Sequence, residues 1–145
     1  MHTVQHILDR KPGPVTCIDR ESTVLDAAKL MNEKRIGALV VNRGETVIGI
    51  FTERDILNRV VAAQKVPAKT LVKDVMTTPV ACCKPETTEA ECRHVMREKR
   101  IRHLPVVANE RLVGMISIGD ITEDENAEQQ ETIEYLHEYL YGGYR

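Results

Sequence analysis

Aromatic side chains are scarce in this sequence, which has one phenylalanine, four tyrosines and no tryptophan among 145 residues. A binding pocket in this protein must therefore be lined mainly by aliphatic side chains. The sequence also lacks an apolar run that approaches the roughly 20 residues of a transmembrane helix. Its N-terminal stretch has no apolar signal segment, and we therefore expect a cytoplasmic protein with no membrane partner.

Charge and motif content exclude further classes of function. The net charge is −2 and no basic stripe is present, so nucleic acid is not an expected partner. The four cysteines form no C-x-x-C pair and are interpreted as small buried apolar side chains. The five histidines show no metal-ligand spacing, so no metal site is expected. A nucleophile elbow, a phosphate loop and a zinc-hydrolase motif are all missing, and we expect no enzymatic activity.

An internal repeat is the main positive feature of the chain. The phrase GIFTERDI at 49–56 returns as GMISIGDI at 114–121, which is an offset of 65 residues. The run EKRI at 33–36 returns at the same offset at 98–101. So many identities at one offset indicate a duplicated unit.

Each copy has the same predicted order of elements. A short extended segment comes first, at 15–18 or 80–83. A helix follows, whose apolar residues in the first copy lie at i, i+3, i+4 and i+7 from Val24. Two apolar runs separated by turn residues then predict a hairpin, and a second helix begins near Thr52 or Ser117.

The sequence therefore predicts an α/β (α+β) fold built from two β-α-β-β-α repeats related by a pseudo-twofold axis. We place the repeats at 1–66 and 67–122 and a helical tail at 123–145. In this tail Ile133, Leu136 and Leu140 share one side, which predicts an amphipathic helix ending at Gly142.

The repeated phrase has two interpretations. Thr52 with Asp55, and Ser117 with Asp120, have the spacing of a capping box at the start of a helix. The same groups suit a nucleoside phosphate, because free N–H groups at a helix N-terminus favour an anion and a carboxylate can accept two ribose hydroxyls. The preceding glycines either permit tight strand packing or allow a flat ring to approach the backbone.

In combination these motifs resemble a tandem pair of cystathionine-β-synthase (CBS) domains, called a Bateman module. The carrying residues are the two Gly-h-h-[Thr/Ser]-x-x-Asp phrases, where h is apolar, with TERDI at 52–56, DVMTTPV at 74–80 and IRHLPVV at 101–107. The resemblance covers nearly all of residues 1–122 and is closest to small stand-alone CBS-pair proteins.

The resemblance implies an adenosine-containing ligand (AMP, ADP or ATP, with NAD or S-adenosylmethionine as further options) in clefts between the repeats. It implies that Asp55 and Asp120 hold ribose hydroxyls, and that Thr52 and Ser117 contact ribose or phosphate. By the same resemblance Arg102 and His103 of the second-copy site contact phosphate. Val80, Ala81 and Pro105 help to line its adenine slot.

The two copies differ at these positions. Gly37 and Ala38 stand in the first copy where the second has Arg102 and His103. Arg54 either replaces part of this basic pair or is a solvated helix residue. Cys17 and Cys82 stand where the family often has a threonine, which puts that hydroxyl contact in doubt. We therefore expect two unequal sites, with the better phosphate site in the second copy.

The sequence-based hypothesis is a non-catalytic sensor with no obligatory cofactor and an adenine nucleotide as its ligand. CBS pairs commonly dimerise, which implies a homodimer with a contribution from the tail, read by an unknown effector protein. The alternative is a structural or protein-interaction module that binds no ligand.

Overall fold

The computed structural model describes residues 2–11 and 13–141. Helices and strands alternate along the chain in two similar series. The helices are α1 (Val4–Arg10), α2 (Val24–Lys34), α3 (Glu53–Asp55), α4 (Val72–Val75), α5 (Glu89–Lys99) and α6 (Ile118–Tyr141). The strands are β1 (Cys17–Asp19), β2 (Ala38–Arg43), β3 (Thr46–Thr52), β4 (His103–Ala108) and β5 (Arg111–Ser117).

Each half contains a small sheet built on an antiparallel hairpin, which confirms the predicted mixed α/β fold. In the first, β1 lies parallel to β2 and β2 lies antiparallel to β3. In the second, β4 and β5 form the antiparallel hairpin. The predicted extended segment at 80–83 forms only one parallel bridge, between Cys83 and Val106. This bridge is equivalent, at the repeat offset of 65, to the pairing of Ile18 with Val41 in the first sheet.

Helix caps are also duplicated. Thr23 caps α2 through a hydrogen bond from the Asp26 backbone N–H at 3.1 Å, and Thr88 with Glu91 forms a reciprocal capping box at the start of α5. Each of these helices ends at an arginine in the left-handed conformation, Arg35 or Arg100. Such caps satisfy terminal backbone groups that the helix itself leaves without partners.

The helices that follow the hairpins differ from the prediction. In the first half, α3 continues as a π-helix from Ile56 to Val61. In the second half, α6 is one helix of 24 residues that includes most of the stretch predicted as a separate tail from 123. No proline or glycine interrupts 120–141, so nothing ends the helix there. The predicted end at Gly142 lies outside the described residues.

Each hydrophobic core is completed by a helix from the other part of the chain. The first core, around Phe51 and Leu39, includes Val72 and Val75 of α4. The second core, around Leu104, Ile116 and Ile121, includes the α1 side chains Val4 and Ile7. We call this the crossed packing of α1 and α4.

Equivalent backbone hydrogen bonds fix the crossed helices. The Val24 N–H donates to Thr70 at 2.9 Å, and the Glu89 N–H donates to His2 at 3.0 Å. The Val72 N–H donates to Ser22 at 2.8 Å, and the Val4 N–H donates to Thr87 at 2.8 Å. Both halves of the predicted sequence repeat therefore contribute to both cores.

The glycines of the repeated phrase lie where the crossing segments touch the hairpins. A Cβ added to Gly49 would lie 2.5 Å from the Met76 sulfur and 3.1 Å from the Thr77 carbonyl oxygen. A Cβ added to Gly114 would lie 2.5 Å from Leu8 Cδ2. The space directly over each glycine is thus filled by the chain itself, which favours close packing over the interpretation as a ligand platform.

No helix in the described part of the chain is long and apolar enough to span a membrane.

We expect Gly49→Ala to lower the free energy of unfolding by about 1–3 kcal/mol, the usual cost of overpacking. The added methyl group would press on the Thr77 backbone as well as on Met76. Gly119→Ala is the matched control, because its Cβ would meet only Ser117 Oγ at 3.5 Å. Urea denaturation measures both changes, and an equal effect of the two substitutions would contradict the close contact at Gly49.

Candidate functional site

A cleft of about 430 Å³ lies between the two halves. Three segments form most of its wall, at 13–16, 36–38 and 113–115. The side chains of Leu8, Lys11, His103 and Ser117 complete the lining. The walls are mostly aliphatic, as the low aromatic content requires, and hydroxyl and basic groups lie among them.

The crossed packing explains why this cleft exists. Helix α1 packs on the second half and contacts β5, whereas β1 belongs to the sheet of the first half. The segment 13–16 connects the two and therefore runs along the junction. Gly37 and Ala38, at the start of β2, face the same space as His103 and Ser117 from the other hairpin.

Ser117 and Asp120 form the predicted capping box at the start of α6. The Ser117 N–H donates to Asp120 Oδ2 at 2.8 Å, and the Asp120 N–H donates to Ser117 Oγ at 3.1 Å. Lys11 Nζ donates to the same Oδ2 at 2.9 Å and lies 3.3 Å from the Met115 carbonyl oxygen. The lysine side chain is 51% exposed and that of Asp120 is 18% exposed, so this ion pair borders solvent.

The surroundings of His103 disfavour its charged form. Burial lowers the pKa of His103 below its usual value, and the positive charge of Lys11 lowers it further. Above that lowered pKa the imidazole can donate or accept one hydrogen bond but brings no charge. The predicted basic pair is divided in the structure: His103 lines the cleft, Arg102 is exposed and lies outside the described lining, and Lys11 brings a further ammonium group to the wall.

The equivalent motif in the first half is closed. Thr52 and Asp55 form a capping box, with the Thr52 N–H donating to Asp55 Oδ2 at 3.0 Å. Thr77 Oγ1 donates to the other oxygen at 2.9 Å, and Arg59 Nε lies 3.6 Å from it. The Asp55 side chain is only 7% exposed. Both of its oxygens are therefore used by the protein, which supports the structural interpretation of this copy.

The remaining predicted residues lie outside the described lining of the cleft. Arg54 Nη1 donates to the Arg100 carbonyl oxygen at 3.3 Å, at the end of α5. Ala81 packs on the second core, and Pro105 is buried, with its carbonyl oxygen accepting the Cys83 N–H at 2.9 Å. Val80 is half-buried and does not line the cleft beside His103.

The crossed packing is the reason for this difference. The cleft is lined instead by Pro14, Val15 and Thr16. These residues are equivalent, at the repeat offset of 65, to Pro79, Val80 and Ala81. The equivalent segment of the first copy therefore lines this cleft in place of the predicted residues. Thr16 also brings a hydroxyl residue to the wall, one residue before the half-buried Cys17.

Sequence reasoning also missed Lys11. The residue lies in the segment RKPG, between the end of α1 and the cleft wall. Its only sequence signal is a lysine beside a proline–glycine turn, which is common on protein surfaces. Its contact with Asp120 joins positions 109 residues apart and depends on the crossed packing.

A family model, sequence relatives and solved structures that contain CBS domains all match this chain. The model of the CBS domain matches residues 4–62 and 72–125. The mitochondrial CBS domain-containing protein CBSX3 of Arabidopsis thaliana is 36% identical over 129 residues, which cover 86% of this chain and 63% of CBSX3. The chain thus spans less than two thirds of this relative.

Solved structures agree with the sequence matches. A protein with CBS domains from Burkholderia ambifaria MC40-6 is 40% identical, with a TM-score of 0.86 over 88% of this chain and 96% of that one. A hexameric CBS-CP12 protein from bloom-forming cyanobacteria is 29% identical, with a TM-score of 0.75 over 94% of this chain and 87% of that one. The duplicated hairpins, the repeated capping phrase and these matches show that the chain belongs to the CBS-domain family.

Proposed function

We propose that this protein is a regulatory module that binds one adenosine-containing ligand in the cleft beside Ser117 and Asp120. One observation carries the proposal: of two motifs with the same capping geometry, Asp55 is sealed by Thr77, whereas Ser117 lines a solvent-accessible cleft and Asp120 is paired with Lys11, which lines that cleft as well. A structural role explains both capping boxes but does not explain the cleft of about 430 Å³ beside Ser117.

The cleft offers complementary groups for each part of a nucleotide. Its volume of about 430 Å³ lies within the range of small-molecule sites. Ile36, Gly37 and Ala38 give an apolar wall with little side-chain bulk for a flat base. The Asp120 carboxylate can accept hydrogen bonds from two ribose hydroxyls.

The phosphate end would lie toward Lys11 and the start of α6. The positive end of the helix dipole favours an anion there. The ammonium group of Lys11 is half-exposed, so it can leave Asp120 and pair with a phosphate. Ribose hydroxyls would then take its place on the carboxylate.

Ligand binding can affect a partner because both halves of the protein contribute walls to the cleft. A ligand that contacts 36–38 and Ser117 together would stabilise one arrangement of the two hairpins. It can shift that equilibrium only by its differential affinity for the two arrangements. We propose that an effector protein reads this arrangement and that the module itself is non-catalytic.

The first test is thermal unfolding with AMP, ADP, ATP, NADH and S-adenosylmethionine. A ligand at about 100 times its dissociation constant adds about 2.7 kcal/mol to the free energy of unfolding. For a chain of this size we expect the melting temperature to rise by roughly 6–12 °C with at least one of these ligands.

Asp120→Ala should abolish that rise, because it removes the acceptor for the ribose hydroxyls. Asp55→Ala is the control in the equivalent motif and should keep the rise relative to its own ligand-free melting temperature. If the response is lost in Asp55→Ala and kept in Asp120→Ala, the site assignment is wrong. If the parent protein responds to no ligand, the ligand-free interaction module becomes the better account.

Lys11→Ala separates the phosphate contact from the ribose contact. We expect it to weaken ATP binding by at least fivefold and to change adenosine binding by less than twofold, as titration calorimetry can measure. Arg54→Ala is the control, because its guanidinium group bonds to Arg100 at the end of α5. An equal loss for adenosine and ATP would contradict a phosphate role for Lys11.

We further propose that the second half of α6 forms a homodimer contact. This segment exposes five large apolar or aromatic side chains, Ile133, Tyr135, Leu136, Tyr139 and Leu140, which are 48–77% exposed. Apolar patches of this kind mark protein–protein contacts. A second copy presents the same stripe, so two α6 helices can bury each other's apolar faces. The hexameric CBS-CP12 relative gives a precedent for self-association in the family.

Leu136→Asp should convert the protein to a monomer in light scattering coupled to size exclusion. The charge would have to be buried without a partner at the centre of the proposed contact. Val66→Asp is the control, because Val66 is an apolar residue of similar exposure in the connection between the halves. A parent protein that is monomeric at 100 μM would overturn the proposal.

A further inference from the structure

A second group of polar side chains gathers on the side of the second half where α1, α5 and α6 meet. It consists of His2, His6, Glu89 and Asp124, and we call it the His–carboxylate cluster. The first two residues are on or just before α1, the third begins α5 and the fourth lies in α6. None of them lines the cleft described above.

We propose that the His–carboxylate cluster binds one Zn²⁺ ion. The donor atoms of His2, His6 and Asp124 all lie within 4.8 Å of one another. His2 Nδ1 is 2.7 Å from Asp124 Oδ2 and 3.5 Å from Glu89 Oε2, and His6 Nε2 is 3.1 Å from Asp124 Oδ1. Tetrahedral zinc with bonds of about 2.0–2.1 Å needs donor atoms about 3.4 Å apart. Small side-chain adjustments therefore suffice to surround an ion.

The surroundings of Glu89 independently indicate a cation site. The residue is only 6% exposed, and neither carboxylate oxygen has a hydrogen-bond partner among the described residues. Its Oε2 faces His2 Nδ1 at 3.5 Å. A buried carboxylate without a hydrogen bond is costly, and such groups usually pair with a cation or coordinate a metal.

The surrounding charges permit a cation at this position. Arg10 Nη1 pairs with Asp124 Oδ1, and its side chain is 41% exposed, so it can keep that oxygen or turn to solvent. The other oxygen, Oδ2, is the one that faces His2. Glu128 adds a further carboxylate, 3.7 Å from His2 Nδ1. The cluster thus contains two carboxylates, Glu89 and Asp124, and has a third, Glu128, beside it, whereas Arg10 pairs with Asp124. This excess of carboxylates favours another positive charge.

The donor set selects the type of ion. Imidazole nitrogens suit zinc and other transition metals, whereas calcium and magnesium prefer sites made of oxygen alone. Two imidazoles with two carboxylates also match the four-coordinate geometry of structural zinc. Zinc at this point would join α1 to α5 and α6, and would therefore hold the crossed helix in place.

Sequence reasoning expected no metal site. His2 and His6 are four residues apart, but Glu89 and Asp124 are distant in sequence, and no spacing rule connects them. The crossed packing of α1 brings them together, as it does Lys11 and Asp120.

The test uses full-length protein without a polyhistidine tag, freed of metal by dialysis against a chelator. Titration calorimetry with Zn²⁺ should give one ion per chain. His6→Ala should weaken binding at least tenfold, and Glu89→Gln should also weaken it while keeping the shape of the side chain. His94→Ala should change the affinity less than twofold, because His94 is an exposed histidine of α5 outside the cluster.

Folding defects are separated from ligand loss by measuring the zinc-induced rise in melting temperature against each variant's own metal-free value.

Co²⁺ reports the ligand types: the cluster predicts visible bands of tetrahedral cobalt without a thiolate charge-transfer band. A thiolate band would place the metal at cysteines and overturn the proposal. An affinity equal in His6→Ala and His94→Ala, or no binding to the parent protein at 100 μM Zn²⁺, would overturn it as well.

Discussion

The crossed packing of α1 and α4 is the constraint on which the rest of the structure depends. Val72 and Val75 fill the first core, and Val4 and Ile7 fill the second. Neither half can therefore bury its apolar residues with its own repeat alone. The same crossing carries the segment 13–16 along the junction and so creates one wall of the cleft. Two glycines, Gly49 and Gly114, allow the crossing segments to lie close to the hairpins.

Two identical local motifs have acquired different surroundings within this symmetric frame. The carboxylate of Asp55 is closed by Thr77, which comes from the segment that crosses the first hairpin. The carboxylate of Asp120 meets Lys11, which has a long and half-exposed side chain and can be displaced. The short side chain of Thr77 holds its hydroxyl group on Asp55. The long side chain of Lys11 can move its ammonium group away from Asp120. This difference is the physical basis for proposing one ligand site instead of two.

Local features were the ones that the sequence predicted well. Both Thr/Ser–Asp capping boxes and the hairpins form as the spacing indicates, because neighbouring residues decide them. The continuous α6 was missed, since an acidic stretch without proline or glycine is compatible with a helix as well as with a tail. Lys11 and the segment 13–16 were not predicted in the cleft wall, because their position depends on the packing of α1 against the second half; Lys11 meets Asp120 across 109 residues of sequence.

The central claim is that one nucleotide site is open, and the most direct measurement is its stoichiometry. Titration calorimetry of the parent protein with AMP, ADP and ATP in turn counts the sites for each. We expect one nucleotide per chain for the one that binds, with Asp55 remaining closed. Two equivalent sites per chain would contradict the account, because the Asp55 motif would then open as readily as the cleft beside Asp120.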